Sequence, residues 1–361
     1  MYILNLQPLM IVGTDPMIDV AKVTRVAIFS DLHLGVHQNS SFWHDTSLKW
    51  CGWFINELER KNVSTILFLG DFFHYRDEVA VNTLDVGYQL LSRLSNYNII
   101  MIPGNHDSFY KEHSAVNSLN IFSGWKNLHV LDKPTVIQFG SKSAAFIPWG
   151  GSVESKTDYL FGHFEINSFR MNGLKVCEKG QDAFSLLDKS KRIFSGHFHL
   201  RDRKQYENGT ITYVGNPFEM DFGDSGDTKG IYFLDFKTDE LSFVENNQSP
   251  KHIRLLTSKI TSEDCLNVIK VEGNIVKLVV DKKINIENVE SMLAQIATLT
   301  PASASVDYLI DSNQINIVDS APCTITGVNM ESVMEEFINQ IEVDDKLKLY
   351  TKCVDIYNQC K

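Results

Sequence analysis

Five short stretches each follow an apolar run and end in residue types that bind metal ions. They are Asp31-Leu32-His33-Leu34-Gly35, Gly70-Asp71-Phe72-Phe73-His74, Gly104-Asn105-His106-Asp107, Gly162-His163 and Gly196-His197-Phe198-His199. Side chains at i and i+2 of an extended chain point to the same side, so His197 and His199 can converge just past a strand end. Neutral imidazole is the commonest nitrogen ligand of metals. Counting Asp31, His33, Asp71, Asn105, His163, His197 and His199 gives more donors than one ion needs. Two ions sharing a carboxylate fit better, at the separation of about 3.5–4 Å usual for paired centres, and Asp71 is the natural bridge. Carboxylate, amide and imidazole donors without thiolate favour Mn, Fe or Zn over a soft-metal site.

Such residues reach one point only if the elements before them are aligned. Apolar, β-branched runs at 24–30, 64–69 and 98–102 read as buried strands, and helical spacing at 45–60, capped by Asp45 or Thr46, and at 78–94 reads as the helices between them. Strand and helix alternating in this way argue for right-handed βαβ units. In open α/β sheets the ligand site lies beyond the carboxyl ends of the strands. The stretches 135–139, 144–148, 158–162, 192–195, 210–214, 230–236 and 241–245 read as further strands. Two sheets packed face to face with helices outside would accommodate them.

Four segments are expected. Residues 1–24 form an N-terminal extension with little structure of its own, and 25–249 carry the strand-end clusters. Residues 250–326 suggest a small capping-type α/β module, through the segments 276–280, 286–296 and 306–310. Residues 327–361 hold helices at 330–341 and 346–358, the second capped by Asp344 or Asp345. Hydrophobic content of 43% and charged content of 22% are those of an ordinary globular chain. The segment 1–12 lacks the basic lead and cleavage site of a secretory signal, and no apolar run is long enough to span a bilayer. Six scattered cysteines without a Cys-x-x-Cys pair fit a reducing cytoplasm. A net charge of −11 argues against general adhesion to nucleic acid, though a metal pair can supply positive charge locally.

Taken together, Asp-x-His-Leu-Gly, Gly-Asp-x-x-His, Gly-Asn-His-Asp, Gly-His and Gly-His-x-His, in this order, resemble the calcineurin-like metallophosphoesterase superfamily. Asp31-Leu32-His33-Leu34-Gly35, Ile147-Pro148-Trp149, Gly162-His163-Phe164-Glu165 and Tyr213-Val214-Gly215-Asn216-Pro217 are similar to its DNA-repair nuclease branch. These are the SbcD-like subunits that work with an SMC-like ATPase, and the likeness is greatest to the bacteriophage recombination endonuclease subunits. It covers residues 26–236.

The resemblance implies a four-layer α/β/β/α metallophosphoesterase sandwich followed by the small module and terminal helices. It implies one metal on Asp31, His33, Asp71 and His199 and the other on Asp71, Asn105, His163 and His197, with manganese preferred and Mg, Fe or Zn as alternatives. His106 would protonate or steady the leaving oxygen, Asp107 would orient its ring, and His74 would stand on the substrate side. The implied activity is two-metal hydrolysis of DNA, as exonuclease and endonuclease, in recombination, repair and replication, in the host cytoplasm for a phage protein. Lys111, Arg170, Lys175, Arg201, Arg203 and Lys204 flank metal-bearing loops and are candidate phosphate contacts.

An SMC-like ATPase is expected to receive the amphipathic helices at 330–358. A homodimer is expected through the helices after Asp45 and Glu78, with Trp43, Trp50 and Trp53 exposed on its surface. The rival readings are a small-molecule metallophosphatase or phosphodiesterase and a catalytically silent scaffold of the same fold.

Overall fold

The computed structural model describes residues 20–171, 175–260, 270–309, 346 and 350–354. The chain divides into two compact units, Met1–Ile253 and Arg254–Lys361.

In the first unit, β1 (Arg25–Phe29), β2 (Thr65–Phe68), β3 (Asn98–Met101) and β4 (Leu128–Val130) run parallel. β5 (Thr135–Phe139), β6 (Lys142–Ile147), β7 (Tyr159–Gly162), β8 (Arg192–Ser195), β9 (Asp202–Tyr206) and β10 (Gly209–Tyr213) make a second six-stranded sheet, ordered β5-β6-β7-β8-β10-β9. β11 (Gly230–Asp235) and β12 (Leu241–Glu245) return to the first sheet as an antiparallel edge, giving the order β12-β11-β1-β2-β3-β4. β6, β7, β8 and β10 are parallel, as are β1 to β4, so each sheet delivers several carboxyl ends to one edge.

Alternate residues of each strand face opposite ways, and here both faces are buried, which is why the strands read as unbroken apolar runs. Val26, Ile28, Leu67, Leu69, Ile100 and Ile102 of the first sheet share a core with Phe146, Phe161, Phe194 and Val214 of the second. Each large apolar side chain buried there contributes about 1.5–3 kcal/mol. On the outer face of the first sheet, the Phe29 ring meets Trp50 at 5.0 Å and Phe54 at 5.1 Å, both from α1 (Ser41–Lys61). α2 (Val81–Arg93) packs beside α1, with Leu90 and Leu91 buried. The outer face of the second sheet is covered more thinly. Leu160, Ile193 and Ile211 meet Phe164, Ile166, Phe169 and the Leu186–Leu187 pair of the short α3 (Ala183–Leu187). The fourth layer is therefore one five-residue helix plus loops.

Several expectations need correction. Trp43, Trp50 and Trp53 are 7%, 1% and 7% exposed, so they belong to the core and give no dimer surface. Trp43 stacks on His37, Phe218 and His252, and that packing accompanies a helix start at Ser41, ahead of the expected cap at Asp45. Of the expected extension, Val20 and Val23 pack on the main core, and residues 1–19 lie outside the described residues. β4, β9 and β13 (His252–Leu256) carried no strand signal: β4 has three residues, and β9 is a charged edge reading Asp-Arg-Lys-Gln-Tyr.

In the second unit, β14 (Ile275–Val280) and β15 (Ser303–Tyr308) pair in parallel, with α4 (Ile286–Thr298) between them in sequence, and the sheet order is β13-β14-β15. Asn285 caps α4 by accepting from the Glu287 amide. The expected helix at 330–341 lies outside the described residues, as does all of 346–358 except 346 and 350–354, which are helical. No helix among the described residues is long and apolar enough to cross a membrane.

Candidate metal centre

The strand-end loops of the first sheet are zipped together by backbone hydrogen bonds. Asp31 N donates to Gly70 O at 2.9 Å, His33 N to Asp71 O at 3.0 Å and Leu34 N to Phe72 O at 2.8 Å. The loops turn in left-handed backbone that non-glycine residues rarely adopt, with φ of 55° at Asp31, 47° at His33, 61° at Asp71 and 87° at His197. Each such residue costs on the order of 1 kcal/mol or more, and residues of this kind concentrate at functional sites. A Cβ at Gly104 would collide with the Asp71 carboxylate, so only glycine allows the third loop this close.

Asp107 explains how the Asp71 turn is held. Its carboxylate accepts from four backbone amides, those of Asp71 (2.8 Å), Phe72 (3.0 Å), Phe73 (3.0 Å) and Gly104 (3.0 Å). This corrects the role expected for it. Asp107 ties loops together, and the His106 ring is instead oriented by the His74 carbonyl, 2.6 Å from His106 Nδ1. With Nδ1–H donating there, Nε2 is left for other work. The His106 amide also donates to Asp71 Oδ1 at 2.8 Å.

The second sheet docks its histidines onto these loops. His163 Nδ1–H donates to Leu69 O at 2.7 Å, which leaves Nε2 facing Asp71 Oδ2 at 3.2 Å and Asn105 Oδ1 at 2.9 Å. His197 Nδ1 lies 2.8 Å from the same Asn105 oxygen, and its amide donates to Asp31 Oδ1 at 3.0 Å. His199 Nε2 and His33 Nε2 face each other at 3.0 Å, with His33 Nε2 3.6 Å from Asp71 Oδ2. Ligand atoms of Asp31, His33 and His199 form one compact group, and those of Asp71, His163 and His197 another.

The seven sequence-derived donors thus meet, with Asp71 between the two groups. Imidazole nitrogens aimed at one another and at carboxylate or amide oxygens suit divalent cations chemically, and the donor set fits the expected pair. His74 sits beside them, its Nδ1 3.4 Å from His33 Nδ1 and its ring stacked 5.4 Å from His106.

Burial pushes the Asp71 carboxyl up, but His163, His33 and His106 around it pull it well below the usual carboxylate range. Burial lowers His163 too, but Asp71 and Asp31 outweigh it and raise His163 to about 9. Burial depresses His197 to about 3, His74 to about 4 and His33 well below its ordinary value.

These directions set a pH window for the metal-free protein. The raised His163 contributes stability that is complete below its ordinary value of 6.5 and is lost as pH climbs through about 9. The depressed histidines act oppositely, because below about 6.5 the unfolded chain takes up their protons first. Thermal stability in chelator is expected to fall as pH climbs from about 6.5 through about 9. Melting curves of wild type and His163→Gln check this: the variant should lack the alkaline fall, and an unchanged fall would refute the assignment.

Other residues beside the centre are given no role by the sequence. Asp224 is buried 4.0 Å from His199 Nδ1, where it also accepts from Asn216 Nδ2 (2.7 Å) and Lys229 Nζ (3.2 Å). Lys229 Nζ in turn donates to His199 O at 2.7 Å, so this buried pair fixes the loop that carries His199. Carboxylates behind ligating histidines commonly fix ring orientation. Arg76 Nε donates to Asn105 O at 3.1 Å, and the Trp149 ring lies 5.2 Å from that of His197.

Of the candidate phosphate contacts, Arg201 is committed to structure, donating to Thr228 O and stacking 4.2 Å over Phe243. Lys204 donates to Ser168 O and covers Phe169. Lys111, Arg170, Lys175 and Arg203 are exposed.

The calcineurin-like phosphoesterase family model matches residues 24–208. Exonuclease subunit 1 of Enterobacteria phage T4 is 26% identical over 334 residues, covering 88% of this chain and 93% of the phage protein. A hypothetical protein of Pyrococcus horikoshii matches in structure over 61% of this chain and 87% of its own, at 10% identity and a TM-score of 0.36.

Proposed function

Because this chain belongs to the calcineurin-like phosphoesterase family, and so is a metal-dependent phosphodiester hydrolase, we propose that it is a DNA exonuclease and endonuclease working with an SMC-like ATPase. The observation that carries the reading is the meeting of the seven donors from both sheets around Asp71. Similarity to a phage exonuclease subunit along nearly the whole of both chains supports DNA as the substrate.

In this reading Asp31, His33, Asp71 and His199 hold one ion and Asp71, Asn105, His163 and His197 the other, with manganese preferred. Two such ions supply Lewis acidity and charge neutralisation at the attacking and leaving oxygens. The protein's own part is to fix that geometry. His106, pinned through Nδ1, offers Nε2 to the leaving oxygen, and His74 pins it through its carbonyl while its ring borders the substrate side.

Turnover of single-stranded DNA against a small aryl phosphodiester, each with manganese, tests the substrate. Efficient cutting of DNA is expected, and hydrolysis of the small ester alone would sink the nuclease reading in favour of a small-molecule phosphodiesterase.

Two assembly contacts complete the reading. The ATPase is received by residues 330–358, so a chain ending at Gly327 should no longer co-purify with it; retention would refute this. The homodimer uses α2, where Val81, Leu84 and Tyr88 are exposed at 83%, 37% and 56%, and sedimentation showing only monomer would remove it. A phage origin would place the work in the host cytoplasm.

A further inference from the structure

Beside His163 lies a hollow of about 340 Å³ whose walls include Lys111, Glu112, Trp149, Gly150, Glu165 and Lys179. We propose that it holds one unpaired nucleobase of the nucleic-acid substrate, stacked on Trp149 next to the phosphate being cleaved. The proposal rests on the nuclease reading and extends it to a base-binding subsite.

The indole is fixed before any ligand arrives. Trp149 Nε1–H donates to Lys111 O at 2.7 Å, the Trp149 amide donates to Pro103 O at 3.0 Å, and the ring lies against His197 at 5.2 Å and His163 at 6.0 Å. A side chain held at its edge and rigid at its backbone is a ready stacking platform. Gly150 keeps the wall close: it sits at φ +73°, and a Cβ there would run into the backbone carbonyl of Glu112.

Volume and the fixed indole favour a base over other ligands. A hollow of this size lies at the lower end of the roughly 300–1,000 Å³ usual for small-molecule sites, suited to a nucleotide unit and too small for a duplex. Lys111 and Lys179 are exposed at its rim, where the phosphates on either side of a stacked base would pass. Lys111 and Lys179 are matched in the lining by Glu112 and Glu165, so the hollow is close to neutral in a chain of net charge −11. Every base has a π-face, so such a platform binds without strong sequence preference. A stacked base must leave its pair, so the strand bound here is single-stranded or frayed.

The test uses the full chain with manganese and single-stranded oligonucleotides that carry one abasic nucleotide, stepped through three positions on either side of the cleaved bond. At one position the abasic substitution should raise KM about tenfold in wild type, the scale of one lost base stack. In Trp149→Ala that penalty should fall below about twofold, and Trp149→Phe should restore most of it. Indifference of wild type at every position, or an undiminished penalty in Trp149→Ala, overturns the proposal while leaving the nuclease reading intact. If no oligonucleotide is cut while a small aryl phosphodiester is, both fall. Should Trp149→Ala not fold, 2-aminopurine scanned through the same positions in the wild-type complex decides the matter. Quenching on binding at one position supports stacking, and unchanged fluorescence at all of them refutes it.

Discussion

Asp71→Asn is expected to lower manganese-dependent hydrolysis of a DNA oligonucleotide by about 10³-fold or more, and to abolish the rise in melting temperature that manganese gives the wild type. The carboxylate adjoins both clusters of ligand atoms: Oδ2 is 3.2 Å from His163 Nε2 and 3.6 Å from His33 Nε2, and Oδ1 takes the His106 amide. An amide of the same shape keeps one oxygen but loses the charge that would offset the two dications of the proposed pair. Lewis-acid stabilisation at such centres is worth several kcal/mol, and each 1.36 kcal/mol is tenfold in rate. The variant also strands His163 without its counter-charge in a fully buried site, so the metal-free protein should melt earlier as well. Measured rates and manganese-dependent melting curves check both effects. Near wild-type turnover would remove Asp71 from its bridging position.

His106→Ala should lower kcat on DNA by about 10²–10⁴-fold, the usual range for a proton-transfer group, while manganese stoichiometry stays the same. Alanine retains the backbone N–H that binds Asp71 Oδ1, so the loop keeps its tie to the bridging carboxylate. What disappears is the imidazole, anchored at Nδ1 and open at Nε2. If it donates a proton to the leaving oxygen, the loss must depend on how much that oxygen needs one. An aryl phosphodiester with a good leaving group should therefore suffer less than about tenfold. Equal losses on both substrates would mean that His106 serves only to shape the site.

The strand ends were legible because their polar residues follow directly on apolar, β-branched runs. Gly70-Asp71 and Gly196-His197 announce both the end of an element and the chemistry placed there. The role of Asp107 was not legible. Its partners are backbone amides at Gly104 and at positions 34 to 36 residues away, and backbone leaves no mark in a residue pattern. The pairing of Asp224 with Lys229 escaped for the related reason that a buried pair looks, in sequence, like two ordinary surface charges. Trp43, Trp50 and Trp53 were open to a better reading. Intervals of seven and three put them on one helical face, and a one-faced aromatic stripe beside an apolar sheet is core before it is interface. β9 is a polar edge strand that takes its conformation from antiparallel pairing with β10, which no local propensity reports.

The most direct measurement is anomalous diffraction from crystals of the full chain soaked in manganese. Two peaks about 3.5–4 Å apart are expected, with Asp71 touching both, Asp31, His33 and His199 on one, and Asn105, His163 and His197 on the other. A single peak, or two that do not share Asp71, would contradict it.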